Sequence, residues 1–145
     1  MSERAPQHLE MLQAKVGQRF GTGSPSPFGR WLDGLLLEAQ EGMIRASFEV
    51  REEMTNPVGM LHGGAIAAII DDLIGTVIAT LNRPSFYASV NLHIDFLTAA
   101  RAGHTLTGTA RIVRPGRTLI NAECELRDRR DRLIARGVSN LIKVR

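Results

Sequence analysis

Several function classes are narrowed by what this chain lacks. It has one cysteine, Cys124, so no intrachain disulfide can form, and such usage fits a reducing, cytoplasmic setting. Aromatic residues make up only 5% of the chain, and no recognition motif for nucleic acid appears, so nucleic acid is not expected as a partner. His8, His93 and His104 are scattered without metal-ligand spacing, and no metal site is expected. The first ten residues, M-S-E-R-A-P-Q-H-L-E, contain no apolar run, so no signal peptide is expected. One apolar stretch approaches the length of a membrane span, but Asp71 and Asp72 sit in its middle. Charge at bilayer depth is expensive, which argues against a membrane segment.

What is present suits a globular domain. At 145 residues with 43% hydrophobic content the chain can bury a real core, and residues 1–145 read as one domain, with 1–30 as an N-terminal helix and loop before the core. The net charge is +3. Its cations are almost all arginine, since the only lysines are Lys15 and Lys143. Planar guanidiniums in excess suit a phosphate-bearing partner such as a nucleotide-carrying cofactor.

Pro6 to Phe20 reads as an amphipathic helix, with Leu9, Leu12, Val16 and Phe20 at helical spacing. Gly21 to Gly29 is a loop by composition, and Phe28 and Trp31 are expected to tuck against the core. Two strands surround the turn Gln40-Glu41-Gly42; in the second, Ile44, Ala46, Phe48 and Val50 alternate with polar residues. After the apolar stretch, alternation returns four times. Val90, Leu92, Ile94 and Phe96 share one face, then Leu106, Ala110 and Ile112, then Ile120, Ala122, Cys124 and Leu126, and a last strand runs from about Leu133 to Val144. Successive strands with short connections form antiparallel sheets. The expected architecture is α+β: an antiparallel sheet of five or six strands with one apolar face, curled around one long helix.

That helix belongs to the stretch from Asn56 to Leu81. Apart from Asp71 and Asp72 it is nearly all Ala, Ile, Leu and Val, so it reads as buried on every side. Asn56, His62-Gly63-Gly64 and Asp71 form the pattern N-x5-H-G-G-x6-D. This resembles the hotdog-fold acyl-CoA thioesterases, most of all their phenylacetate-pathway (PaaI-type) branch. S-V-N-L-H-I-D-F-L at 89–97 and R-P-G-R-T-L at 114–119 are similar to that branch's strand after the helix and to its basic turn. The resemblance covers roughly Leu35 to the C-terminus. It implies hydrolysis of an acyl-CoA thioester to free acid and coenzyme A, with no cofactor beyond the coenzyme A of the substrate. It also implies Asn56 as a binder of the thioester region or the water, Ser89 as a holder of the attacking water, and a homodimer, often a dimer of dimers.

The chemistry of a thioester gives these residues roles. The first N–H groups of a helix lack intrahelical partners and lie at its positive end. Gly63 and Gly64 there let a carbonyl oxygen approach closely, and the Gly63 N–H is the candidate oxyanion donor. Asp71 is the candidate nucleophile or base for water, its basicity expected to be raised by an apolar helix. Asp72 is expected as a helix-face charge or second carboxylate behind the site, with the catalytic role as its alternative. His62 is expected to position the bound carbonyl through a hydrogen bond, with a plain helix cap and a direct acid or base as the alternatives. Arg114 and Arg117, with Gly116 between them in the turn, are candidates to grip the phosphates of coenzyme A, with Arg83 and Arg101 as weaker ones. Met60, Leu61, Phe86 and Tyr87 are pocket candidates by proximity. With a helix starting near His62, Asp71 stands about 13–14 Å along the axis and about half a turn out of phase. Gly63 and Asp71 of one chain then cannot share one carbonyl, whereas two antiparallel helices in a homodimer can build two shared sites. Two alternatives use the same fold: a hydratase or dehydratase of enoyl or hydroxyacyl thioesters, and a non-catalytic acyl-CoA-binding module.

Overall fold

The computed structural model describes residues 7–144. Two short helices, α1 (His8–Ala14) and α2 (Pro27–Leu32), precede the strands β1 (Leu35–Gln40) and β2 (Met43–Glu49). The long helix α3 (Gly63–Ala79) follows, then β3 (Tyr87–Phe96), β4 (Thr105–Pro115), β5 (Leu119–Arg127) and β6 (Leu133–Lys143). All six strands form one antiparallel sheet in the order β1-β2-β4-β5-β6-β3. The alternation in the sequence sets which face is inside. Ile44, Ala46 and Phe48 of β2, Leu106 and Ala110 of β4, and Ile120, Ala122, Cys124 and Leu126 of β5 are all buried against α3. This is the expected hotdog arrangement of a curled sheet around one helix.

α3 packs through Ile66, Ile69, Ile70, Leu73, Ile74, Val77 and Ile78, an i, i+3, i+4 series that makes a single continuous face. Two glycines on the inner face of the sheet let that face press in closely. A Cβ on Gly108 would stand 2.4 Å from Leu73 Cδ1, and one on Gly137 would stand 2.7 Å from Ile70 Cγ2. Both distances are well inside ordinary carbon contact.

The opposite side of α3 is only partly covered by the described residues, contrary to the all-round burial expected from hydropathy. Gly64, Asp71 and Gly75 are exposed, and Ala67, Ala68, Asp72 and Thr76 are half-buried. Glycine and alanine count as apolar by composition but leave little to bury, so the helix is amphipathic in side-chain size and not in hydropathy.

Three other expectations are corrected. The first helix stops at Ala14 instead of reaching Phe20, and Pro6 lies outside the described residues. Gly17 (φ +87°) turns the chain, and residues 17–19 pair with β1 instead: Gly17 N–H donates to Leu36 O at 2.7 Å and Leu36 N–H to Gln18 O at 3.1 Å. These strand-type bonds cover the β1 edge of the sheet. Phe28 and Trp31 do not tuck inward. They are 53% and 45% exposed and stack on each other at 5.9 Å, with the Arg51 guanidinium 4.9 Å from the Trp31 ring. In β3 the register slips between Ser89 and Asn91. Leu92 and Ile94 pack on the core, while Val90 and Phe96 are each 57% exposed.

Candidate active site

β3 is the open edge of the sheet and runs antiparallel to α3 along its uncovered face. Phe96, at one end of β3, lies against Gly63: a Cβ there would be 3.3 Å from its ring. At the other end, Ser89 Oγ donates to Asp71 Oδ1 at 3.1 Å. This hydrogen bond fixes one carboxylate oxygen and leaves the other toward solvent. Both residues are exposed in the single chain, so the desolvation expected for Asp71 falls on its neighbour. Asp72 is turned toward α2, where a Cβ on Gly29 would meet its carboxylate at 3.1–3.2 Å and Ser24 Oγ at 3.0 Å. Burial pushes the Asp72 carboxyl above the usual range, the adjacent Asp71 charge adds to this, and a hydrogen bond with Ser26 opposes it.

The start of α3 is organised by His62. Its backbone is extended (φ −63°, ψ 138°), and its Nδ1 accepts the Gly64 N–H at 2.8 Å. Nδ1 is therefore the unprotonated ring nitrogen in the neutral imidazole, and Nε2 carries the proton outward. His62 is thus the helix cap, and it uses up the amide of Gly64, a residue expected to bind substrate. Its own N–H donates to Met54 O at 2.8 Å. Among the described residues this leaves the Gly63 N–H as the unpartnered amide of the first turn, at the positive end of a helix of 17 residues.

Asn56 organises the loop before the helix. Its Oδ1 accepts from the N–H groups of Val58 (3.1 Å) and Met60 (3.0 Å), an arrangement that mimics a backbone turn. Only its side-chain NH2 is left to face a ligand.

α3 starts where expected, with His62 as its cap, so Asp71 stands about half a turn out of phase with His62. From Gly63, the candidate donor, Asp71 lies eight residues on, about 800° of helix, so the two are about 80° apart in phase and about 12 Å apart along the axis. The axial gap still prevents a single chain from bringing the first amides and Asp71 to one carbonyl.

A cavity of about 720 Å³ begins at Asp71 and Ser89. It follows α3 through Asp72, Gly75, Thr76, Ile78 and Ala79, with Phe86 and the first β3 residues, Tyr87 to Ser89, on one side. Its remaining wall comes from the N-terminal segment, including Met11 and Leu12 of α1 and the chain through Ser26. Of the four pocket candidates, Phe86 and Tyr87 line it; Met60 and Leu61 do not, and Leu61 is buried below the loop. The N-terminal wall was missed because seven helical residues with none of them buried give a weak apolar period.

The basic turn is built from below. Arg83 Nη1 donates to Gly116 O at 2.6 Å and to Tyr87 Oη at 3.1 Å, Arg83 Nη2 donates to Pro115 O at 2.7 Å, and Tyr87 Oη donates to Arg117 O at 2.7 Å. Arg83 and Tyr87 also line the cavity, so the turn stands beside it. A Cβ on Gly116 would be 2.2 Å from Leu119 O, a backbone clash, so the turn requires glycine. Arg83 is thereby a strut, not a free anion ligand. Arg101 is likewise engaged, donating to Val58 O at 3.2 Å. Arg114 and Arg117 are exposed and make no ion pair among the described residues. Cys124 is fully buried, and burial holds its thiol far above the ordinary range, which makes it an inert core residue.

Comparison with known proteins places this geometry in a family. The model of the thioesterase superfamily matches residues 58–135, which include His62, Gly63, Asp71, Ser89, Arg114 and Arg117. Human acyl-coenzyme A thioesterase 13 is 30% identical over 103 residues, covering 70% of this chain and 74% of that protein. A phenylacetic acid degradation-related protein from Ralstonia eutropha has 27% identity and a TM-score of 0.77, over 93% of this chain and 98% of its own. A hypothetical thioesterase from Streptococcus pneumoniae, solved with coenzyme A, shares the fold at a TM-score of 0.74 and 19% identity, over 77% of this chain and 86% of its own. Matches of this extent identify the chain as a member of the thioesterase superfamily, with the hotdog fold of its PaaI-like proteins.

Proposed function

We propose that the protein hydrolyses acyl-CoA thioesters, with Asp71 as the base for the attacking water and the Gly63 N–H as the oxyanion donor. The observation that carries this reading is the Asp71–Ser89 hydrogen bond at the mouth of the 720 Å³ cavity. Ser89 orients Asp71 and holds the water beside its free oxygen. Asp71 takes a proton from that water as the oxygen attacks the carbonyl carbon. Charge collects on the carbonyl oxygen, where an unpartnered helix amide stabilises it. The C–S bond then breaks, coenzyme A leaves as a thiolate that takes up a proton, and the acid is released. His62, by accepting the Gly64 N–H, fixes the helix start and aims the Gly63 amide. The exposed Arg114 and Arg117 receive the phosphates, which bidentate guanidiniums suit. The name of the human relative and the coenzyme A in the Streptococcus structure support this substrate class.

The active unit in this reading is a homodimer. β3 is a ten-residue edge strand with Val90 and Phe96 exposed, and such an edge is a template for pairing. Antiparallel pairing of β3 with its copy sets two α3 helices antiparallel, glycine end against carboxylate end. Asp71 then faces the partner subunit's Gly63. On the outer face, Asn91, Asn140 and Asn121 are linked by hydrogen bonds across β3, β6 and β5, a polar surface suited to a second contact in a dimer of dimers.

The direct test is release of free thiol from a panel of acyl-CoA thioesters by the protein and by Asp71→Asn. A loss of kcat of about 10²–10⁴-fold is expected for removal of a general base. An undiminished variant would overturn the role of Asp71. A nucleophilic Asp71 would use the same geometry, and a single turnover in ¹⁸O-water would then leave label in the Asp71 carboxyl. Turnover of an enoyl-CoA without thiol release would favour the hydratase alternative.

A further inference from the structure

Gly75 is the one glycine inside α3 beyond its first turn. Glycine in a helix interior is unfavourable relative to alanine, so its presence calls for a reason. Among the described residues nothing lies within 4 Å of a Cβ built on it, so no packing in this chain demands a missing side chain. It is one turn beyond Asp71 on the same exposed face, and it lines the cavity that begins at Asp71 and Ser89. Beyond it the walls are mainly apolar: Ile78 and Ala79 of α3, Phe86 before β3, and Met11 and Leu12 of α1, with His8 and Arg83 also in the lining.

We propose that Gly75 is a specificity-determining residue, an opening in the wall of α3 through which a straight acyl chain passes from the reacting carbonyl into the apolar end of the cavity. This rests on the thioesterase reading above. From Asp71 to Ala79 the cavity follows eight residues of helix, about 12 Å. An extended hydrocarbon advances about 1.25 Å per carbon for bonds of about 1.5 Å, so the groove accepts an unbranched acyl group of roughly eight to ten carbons. A side chain at 75 would fill the groove about 6 Å beyond Asp71, at the fourth or fifth carbon. Met11 and Leu12, from a helix with no buried residue of its own, form the roof that such a chain would cover.

The test is the ratio of kcat/KM for decanoyl-CoA to that for acetyl-CoA in the protein and in Gly75→Leu. The ratio is expected to fall on the order of 100-fold, as for a pocket filled by an extra aliphatic group. Inhibition by decanoate should weaken in parallel. Gly75→Ala, which adds one methyl and raises helix propensity, should give a smaller fall in the same direction and serves if the leucine variant fails to fold. An unchanged ratio in an active, folded variant would overturn the inference while leaving the thioesterase reading intact. A variant that loses its oligomeric state by size-exclusion chromatography while keeping the ratio would assign Gly75 to helix packing between subunits instead. If the unaltered protein hydrolyses no acyl-CoA at all, the thioesterase reading fails and this inference with it.

Discussion

The close approach of α3 to the sheet gives a quantitative prediction. In Gly108→Ala the new methyl would lie 2.4 Å from Leu73 Cδ1 and 3.0 Å from Leu126 Cδ2. Ordinary contact between such carbons is about 3.5–4.0 Å, so more than an ångström must be found. Leu73 and Leu126 are both fully buried, so neither can swing into solvent, and the helix itself must lift. Overpacking of this kind costs about 1–3 kcal/mol. For a chain of this size that is a fall in Tm of about 2–4 °C per kcal/mol, measured by calorimetry or by urea titration. The cause is tested by a double-mutant cycle with Leu73→Ala. That change alone should cost about 2–5 kcal/mol through its cavity. Combined with Gly108→Ala the costs should be less than additive by about 1–3 kcal/mol, because the methyl enters the space left by the leucine. Strictly additive costs would refute the claim that these two residues set the seat of the helix. Asp71 stands two residues before Leu73, so Gly108→Ala should also lower kcat, and adding Leu73→Ala should restore part of it.

Other expectations follow from the site. His62→Ala removes the acceptor for the Gly64 N–H and should lower stability by about 1 kcal/mol, with His62→Asn recovering much of it as a good cap; equal stability of all three would refute the capping role. Asp72 carries a raised carboxyl pKa in the folded chain, chiefly from burial. Its contribution to stability is full below the unfolded carboxyl value of 3.8 and is lost as pH rises through the higher folded value. Asp72→Asn should therefore raise Tm at neutral pH and have little effect near pH 3, and the opposite pattern would contradict the burial argument. Arg114→Ala and Arg117→Ala should raise KM for acyl-CoA with less effect on kcat, more so at low salt, as expected for exposed phosphate contacts; an effect confined to kcat would remove them from phosphate binding.

The strands and their inward faces were legible because Ile44, Phe48, Leu106, Ile120 and Leu126 alternate strictly with polar residues. The turn at 114–117 could also be read, since glycine and proline punctuate the chain there, and the His62-Gly63-Gly64 start and Asp71 stood out through their resemblance to the pattern of the hotdog thioesterases. The exposed face of α3 could not be read from hydropathy, because Gly64, Ala67, Ala68 and Gly75 score as apolar while presenting almost no side chain. Sorting the helix by side-chain volume would have revealed it. Phe28 and Trp31 misled for the converse reason: their stacking on each other and under Arg51 replaces contact with the core. The free Gly63 amide depends on where the His62 ring nitrogen points, which sequence does not encode. The cavity depends on α1 returning over α3, tied by the Leu9 N–H to Asn82 Oδ1 at 2.9 Å. That contact spans 73 residues and leaves no local signal.

The central claim is that Asp71 works with the Gly63 amide of the partner subunit. Gly63→Pro deletes that N–H: proline is favoured at the first helical position, His62 already has the extended backbone that a following proline requires, and the exposed Phe96 ring, 3.3 Å from a Cβ there, has room to give by the few tenths of an ångström needed. Gly63→Pro and Asp71→Asn should each be nearly inactive alone. Dissociated and reassociated in equal amounts, they should give thiol release at about a quarter of the unaltered rate, because about half the dimers are mixed and each mixed dimer has one intact site of two. A mixture as inactive as its components, with subunit exchange verified by mass spectrometry, would contradict the shared site.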